Sequence, residues 1–391
     1  MDTFAKYKRC LSVMASKLPE RDLESFHMLR GRLTEAIDDA TLYGDSEQQR
    51  ADRAKVLHAL NRLAMASFGK PFDAMGELAL PVTADSTLAL DVAVYVALSE
   101  EFATVLEEVG PGFEAVELRD VALTLFRGAI QARGSSTRYN VGIIPAGKMG
   151  NTRAANVMSA ILSRGDVKNV VVLGIAGTLT DDLQPGDVFI PDSVSEYLAN
   201  SAVTGQETFS FTPSGNHFPT DPRLLNRFQL CRTRFKREFA RWESAPNTSW
   251  ASSLGGDALA ALHELGINAD AKRRLVCGDD RILASGPAVA KGLAFVRWLK
   301  NVDRKVSAIE MESAGVCDAS FIRTPGPRTI AIRGISDYAD ERKEQLERVS
   351  KGFVRVAAVR NATALLVWGL QMGLFAPAAD CDTVDAVGAE T

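Results

Sequence analysis

Three acidic segments of this chain stand where a polypeptide can offer carboxylates to a small molecule. Glu100 and Glu101 follow the apolar run VAVYVAL, Glu310 and Glu312 flank Met311 in AIEMESAG, and Asp337 follows TIAIRGIS. Open α/β sheets collect their ligands beyond the carboxyl ends of strands, which is where all three fall. Carboxyl groups so placed can give a proton to a leaving group, accept from the hydroxyls of a polar ligand or orient a water.

The elements that must carry these acids are legible from apolar spacing. DVAVYVAL, YNVGIIPA, VKNVVVLGIAG, GDVFIPDSV and RTIAIRGIS are short β-branched runs separated by helical stretches. Near-continuous apolar strands of this kind indicate an α/β domain whose central sheet is covered on both faces. A final helix is expected from about Glu344 to Leu374, and the Ala/Asp-rich tail 376–391 is expected to be disordered. Upstream, Phe4, Tyr7, Leu11 and Met14, then Leu23, Phe26, Leu33 and Ile37, then Leu57, Leu60, Ala64 and Phe68 recur at helical spacing. They predict a small three-helix bundle whose last helix is capped by Ser46 and Gln49 and stopped by Gly69. The domains are then a helical unit at 1–75, a linker at 76–89, an α/β unit at 90–375 and the tail.

Composition narrows the partners. With 391 residues, a net charge of -4 and 46% hydrophobic residues, the chain has ample core material and no global basicity, so a small-molecule substrate fits better than nucleic acid or a membrane surface. The five cysteines show no CxxC or Cys/His spacing, so no metal site, cofactor or disulfide framework is expected. No signal peptide and no apolar run near the roughly 20 residues of a membrane span is read, and the expected location is the cytoplasm.

AIEMESAG followed by RGISDYAD, with the glycine-rich VVVLGIAG, resembles the nucleoside phosphorylase and methylthioadenosine/S-adenosylhomocysteine nucleosidase superfamily. The likeness runs in order from about Asp91 to Leu374. It implies a three-layer αβα domain with a central mixed sheet. It also implies that Asp337 gives a proton to purine N7 with Ser336 positioning its carboxyl, that Glu312 accepts from the ribose hydroxyls with Met311 packing on the sugar, and that Glu101 orients the attacking water. Ala176 and Gly177 on the glycine-rich strand belong to the implied substrate site, and Val289 and Ala290 match the purine slot. There the sequence departs from the family: Val289 replaces the usual aromatic and Pro287 stands where an Asp is common. Plainer roles exist for each acid, an N-cap for Asp337 and first-turn helix acids for Glu312 and Glu101.

Phosphorolytic relatives hold phosphate with Arg and Ser around the glycine-rich strand, where this chain has Leu173 and Ile175. Hydrolysis is therefore preferred, with phosphorolysis and a catalytically silent purine sensor as alternatives. Lys148 and Arg153 remain candidate phosphate contacts. GIIPAGKM fits the spacing of a triphosphate-binding loop, but Met149 replaces its magnesium-ligating hydroxyl. Gly147 and Gly150 are expected to allow close backbone approach there, and Asn151 to cap the next helix. The stretch 192–283 is longer than a minimal nucleosidase needs and carries Leu224, Phe228, Cys231, Phe235 and Trp242 at helical spacing, with a basic face. That face reads as solvated, or alternatively, through Arg234 and Arg237, as a contact for the 5′-phosphates of AMP or ATP. Residues 1 to about 72 resemble small effector-associated adaptor domains, which implies a protein partner and an effector role in bacterial defence or signalling. Relatives self-associate, so a homo-oligomer is expected.

Overall fold

A computed structural model describes residues 7–375 apart from 8–9, 12, 16, 44–46, 78–87, 119–122, 205–209, 213, 246–253, 269–271 and 291. The chain divides into two compact units, 1–86 and 87–391. The first contains α1 (Glu20–Tyr43) and α2 (Glu47–Phe68), and the described residues among 7–17 are helical as well. Met14, Phe26, Leu33, Ile37, Leu60 and Ala64, one stripe from each segment, fill its core. Gly69 ends α2 with φ 64°, a left-handed conformation that glycine adopts at little cost. Ser46, most of the expected linker and the tail lie outside the described residues.

The second unit is built on β1 (Leu90–Val96), β2 (Glu114–Leu118), β3 (Leu123–Gln131), β4 (Arg138–Pro145), β5 (Val167–Thr178), β6 (Val188–Ile190), β7 (Ser193–Glu196), β8 (Ala202–Thr204), β9 (Ser210–Thr212), β10 (Asn216–Pro219), β11 (Leu275–Cys277), β12 (Ile282–Ser285), β13 (Val306–Glu310) and β14 (Arg328–Asp337). All but β8 and β9, which pair with each other, join one mixed sheet whose main path is β10-β7-β12-β13-β5-β1-β4-β3-β2. One face is covered by α4 (Asn151–Leu162) and α10 (Ser313–Phe321), through Val157, Met158, Ile161, Val316 and Cys317. The other is covered by α3 (Ser99–Val109) and α12 (Phe353–Gln371), through Phe102, Val105, Leu365 and Leu366. Helices on both faces make this a three-layer αβα unit.

β5 organises the sheet. It pairs with β14 in parallel along one edge and with β1 in parallel along the other, from Leu90 opposite Val167 to Val96 opposite Leu173. There β1 ends while β5 continues, and β13 takes the vacated edge in the antiparallel sense, Ile309 opposite Gly177 and Ala308 opposite Thr178. The sheet thus forks around Gly174–Gly177, and the carboxyl ends of β1, β13 and β14 all arrive there.

Several sequence expectations need correction. GDVFIPDSV is two strands, because Pro191 has no N–H for a ladder and the chain crosses from β6, paired with β11 and β14, to β7, paired with β10 and β12. The final helix is broken: α11 (Arg342–Ser350) ends at Lys351 and Gly352, whose φ values of 50° and 81° reverse the chain before α12. The basic stretch forms three short helices, α5 (Pro222–Gln229), α6 (Cys231–Arg234) and α7 (Lys236–Ser244), rather than one. The sequence reading also passed over α12, which is long and apolar enough by length and composition to cross a bilayer. It packs on β14 and β5 with 67% of its apolar window buried, so it serves here as a core helix.

Candidate active site

Three residues beyond β1, α3 begins, and Glu101 occupies its third position. There the carboxylate does two jobs: Oε2 accepts from the Leu98 N–H at 3.3 Å, as in a capping box, and Oε1 accepts from the Ile175 N–H of β5 at 3.3 Å. The plain helix-start role and a place beside the glycine-rich strand are therefore compatible. A side chain at residue 174 would meet Glu101 Oε2 at 3.3 Å and also press on the Arg333 guanidinium, so only glycine lets the carboxylate and the cation approach this strand. Burial raises the Glu101 pKa, with the charge of Arg333 and the Leu98 and Ile175 N–H groups pulling the other way.

β13 brings the second acid pair. Glu310 is fixed beneath the start of α10, accepting from the N–H groups of Glu312 (3.0 Å) and Ser313 (3.0 and 3.1 Å) and from Arg333. Glu312 points the other way and accepts at 3.3 Å from the N–H of Gly150, in the loop after β4. Burial first, then the charge of Glu310, take Glu312 up to about 8, although Arg333 lies 3.8 Å from its Oε2 and opposes the rise.

Arg333 is the residue that sequence reasoning missed. It sits inside the apolar run TIAIRGIS, opposite Gly174 and 1% exposed, and its guanidinium binds Glu310 and the Ser313 hydroxyl (2.8 Å). One buried cation thus answers three buried carboxylates. An arginine in an otherwise apolar strand was itself the signal, because a buried charge needs a partner. Arg333 Nε and the hydroxyl of Tyr95, which is influenced by Glu312 and Arg333, are buried with no hydrogen-bond partner among the described residues.

Asp337 ends β14 just past an irregularity at Ile335–Asp337, which sets it opposite Gly177. Its Oδ1 accepts from the Ala339 N–H at 2.9 Å, while Oδ2 accepts from Ser336 Oγ at 2.8 Å and Lys343 Nζ at 3.1 Å. A Cβ on residue 177 would lie 2.8 Å from Oδ1, so Gly177 leaves the carboxyl its room. Gly174 beside Glu101 and Gly177 beside Asp337 are three residues apart, about 10 Å of extended chain.

Of the remaining candidates, Ala176 is buried on β5, near enough for its carbonyl to lie 3.4 Å from Ser336 Oγ, and Met311 is half-buried between Glu310 and Glu312. Ala290 is buried against Tyr197, Leu299 and Ala339, in the loop between β12 and α9 (Leu293–Val302), while Val289 beside it is 50% exposed. Lys148 is exposed in the β4 to α4 loop that touches Glu312, and Arg153 binds the Ala146 carbonyl at 3.1 and 3.2 Å.

Gly147 and Gly150 have φ values of 72° and 107° with open space around a would-be Cβ. Backbone conformation, not close approach, requires glycine at both. Asn151 does not cap its own helix; it accepts from the Gly315 N–H (3.1 Å) and the Ser285 hydroxyl (2.9 Å), holding α10 instead. The structure does not bring Arg234 and Arg237 to the carboxylates. Both are exposed on α6 and α7, where Phe235 and Phe239 pack on Trp368 late in α12. That part of α12 lies toward the amino end of β5, where Asn169 reaches the Phe375 carbonyl.

The family model of the phosphorylase superfamily matches residues 91–368. A curated relative named ATP nucleosidase Cap17, from Escherichia coli strain KTE188, is 26% identical over 201 residues, which cover 50% of this chain and 35% of that protein. The match therefore spans about a third of that relative's length. Among solved structures, a 5′-methylthioadenosine/S-adenosylhomocysteine nucleosidase from Neisseria meningitidis is 19% identical with a TM-score of 0.48, over 72% of this chain and 99% of that one. The futalosine hydrolase of Helicobacter pylori strain 26695 is 19% identical with a TM-score of 0.47, over 71% of this chain and 96% of that one. With the family match running from β1 into α12, this chain belongs to the phosphorylase superfamily.

Proposed function

We propose that the chain hydrolyses the N-ribosidic bond of a purine nucleoside or nucleotide, with adenine as the base released. The observation that carries this reading is the fork of β5, which gathers Glu101, Glu312 and Asp337 around one strand end, with Arg333 balancing the first two. Asp337 would protonate the departing base, Glu312 would accept from the ribose hydroxyls, and Glu101 would hold and deprotonate the attacking water. Ser336 would orient Asp337, Met311 would pack on the sugar, and Ala176, Gly177, Val289 and Ala290 would border the base.

Water is the preferred nucleophile because Leu173 and Ile175 put apolar side chains where a phosphate dianion would need cations and hydroxyls. The curated relative's name supports a nucleotide substrate such as ATP, and Lys148 in the loop beside Glu312 would face its phosphates. We read the helical unit 1–75 as an adaptor that recruits the enzyme to a protein partner in a defence or signalling pathway, and the chain as self-associating.

The test is incubation of purified protein with adenosine, methylthioadenosine, S-adenosylhomocysteine, AMP and ATP, with and without phosphate, followed by chromatography of the products. Free adenine formed without phosphate is the expected result. Ribose 1-phosphate would convert the reading to phosphorolysis, and binding without turnover would convert it to a sensor.

A further inference from the structure

Asp337 has an ion-pair partner whose place in the sequence works against its own helix. α11 opens with Arg342 and Lys343, two cations at the end where the helix dipole is already positive. Each is tied to an acid of the preceding SDYAD. Arg342 binds Asp340 through Nε (3.0 and 3.1 Å) and a terminal nitrogen (2.7 Å), and stacks 3.7 Å from the centroid of the Tyr338 ring. Lys343 turns back to Asp337 Oδ2 at 3.1 Å. The chain reverses through Ala339, a non-glycine residue at φ 53°, whose N–H bonds Asp337 Oδ1. A strained turn of this kind persists only where its surroundings over-determine it.

The result is a carboxyl group met by three donors: Ser336 and Lys343 at Oδ2 and the Ala339 N–H at Oδ1. The lysine side chain is 20% exposed and the aspartate 5%, so the pair is mostly shielded from water. A helix cap or a surface ion pair would require none of this convergence.

We propose that Lys343 is a positioning residue for departure of the base, an inference that rests on the hydrolase reading above. In that step the C1′–N9 bond breaks with its electrons going to the purine, the purine takes the Asp337 proton, and water adds to C1′ while giving its own proton to Glu101. Asp337 passes from neutral acid to carboxylate. Within the complex whose Asp337 carries the proton, an ammonium 3.1 Å away attracts the emerging carboxylate far more than the neutral acid, so Lys343 favours the transition state over that complex. It also fixes which carboxyl oxygen is engaged, leaving Oδ1 on the Gly177 side.

The experiment compares wild type, Lys343→Met, Lys343→Arg and Lys343→Ala for adenine release from the preferred substrate, with thermal melting of each. Lys343→Met should lower kcat by about 10- to 100-fold, the range for one hydrogen bond to a charged group, with KM within about threefold. Lys343→Arg should retain a measurable part of the lost turnover. Added methylammonium should partly restore Lys343→Ala, whereas tetramethylammonium, which has no N–H, should not. Unchanged kcat in Lys343→Met, or a raised KM at unchanged kcat, would overturn the inference while leaving hydrolysis standing. So would an inactive Lys343→Arg together with no amine rescue. A wild type that releases base from none of the substrates removes the hydrolase reading and this inference with it.

Discussion

Glu312→Gln should separate what the site needs for stability from what it needs for use. Burial and the charge of Glu310 raise Glu312 from 4.5 to about 8, against the pull of Arg333. A carboxyl raised on folding stabilises the protein fully below its unfolded value and loses that contribution as pH climbs through its folded value. Between about 4.5 and 8 the folded state binds more protons than the unfolded one, so stability falls with rising pH across that window. At about 1.4 kcal/mol for each pKa unit, the full span amounts to at most roughly 5 kcal/mol. Gln carries no charge at any pH and can still accept from the Gly150 N–H. The variant should therefore melt within about a degree of wild type at pH 5 and several degrees above it at pH 9, since one kcal/mol moves Tm by about 2–4 °C in a unit of this class. Differential scanning calorimetry of both proteins at pH 5, 7 and 9 is the assay. At pH 9, where Glu312 is charged, adenine release should fall with KM raised about tenfold or more, because hydroxyl bonds to a charged acceptor are lost. A melting difference that is the same at pH 5 and pH 9 would refute the electrostatic reasoning.

Asp337→Asn should leave substrate binding near wild type by calorimetry while lowering kcat by about 10²- to 10⁴-fold, the usual worth of a general acid; equal turnover would exclude Asp337 as the proton donor. Arg333→Met should cost about 3–5 kcal/mol in urea unfolding at pH 7, because Glu310 would lose its buried counter-charge. That deficit should grow from pH 7 to pH 9 as Glu312, raised to about 8, loses its proton beside Arg333, and a deficit equal at both would contradict the pairing. Gly334→Ala should destabilise by at least about 2 kcal/mol, since its Cβ would overlap the Ala358 carbonyl of α12 and backbone cannot step aside as a side chain can. Denaturant midpoints test this, and wild-type stability would show that α12 can shift.

Much of the fold could be read because a sheet covered on both faces writes itself as apolar runs. β1, β4, β5 and β14 coincide with the runs picked out for them to within one or two residues at each end. β2, β3 and the short strands around 202–219 escaped, since partly exposed or brief strands carry little periodicity. The break at Lys351–Gly352 was hidden by apolar residues that keep helical spacing across it, although Gly352 was the available punctuation. At the site, the acids stood out because residue type and strand ends coincide. Arg333 and the role of Asn151 did not, because each acts across the fold: Arg333 on Glu310, 23 residues earlier, and Asn151 on Gly315, 164 residues later. Lys343 reaches back only to Asp337, but through a turn at Ala339 that residue type does not announce. The basic residues of α5 to α7 show the opposite hazard, a conspicuous charge pattern that tertiary packing turns outward, away from the carboxylates.

The fork of β5 also governs how this centre can be inherited. Any boundary drawn between α7 and α8 (Gly256–Glu264) leaves Glu101 and the glycine-rich strand in one half of the polypeptide, and Glu312, Arg333 and Asp337 in the other. Neither half holds all of these groups, and the acids of the two meet where β13 and β14 dock on the same strand. Recombination or fission within this lineage can therefore exchange whole units around residues 86–87 far more readily than it can divide the sheet.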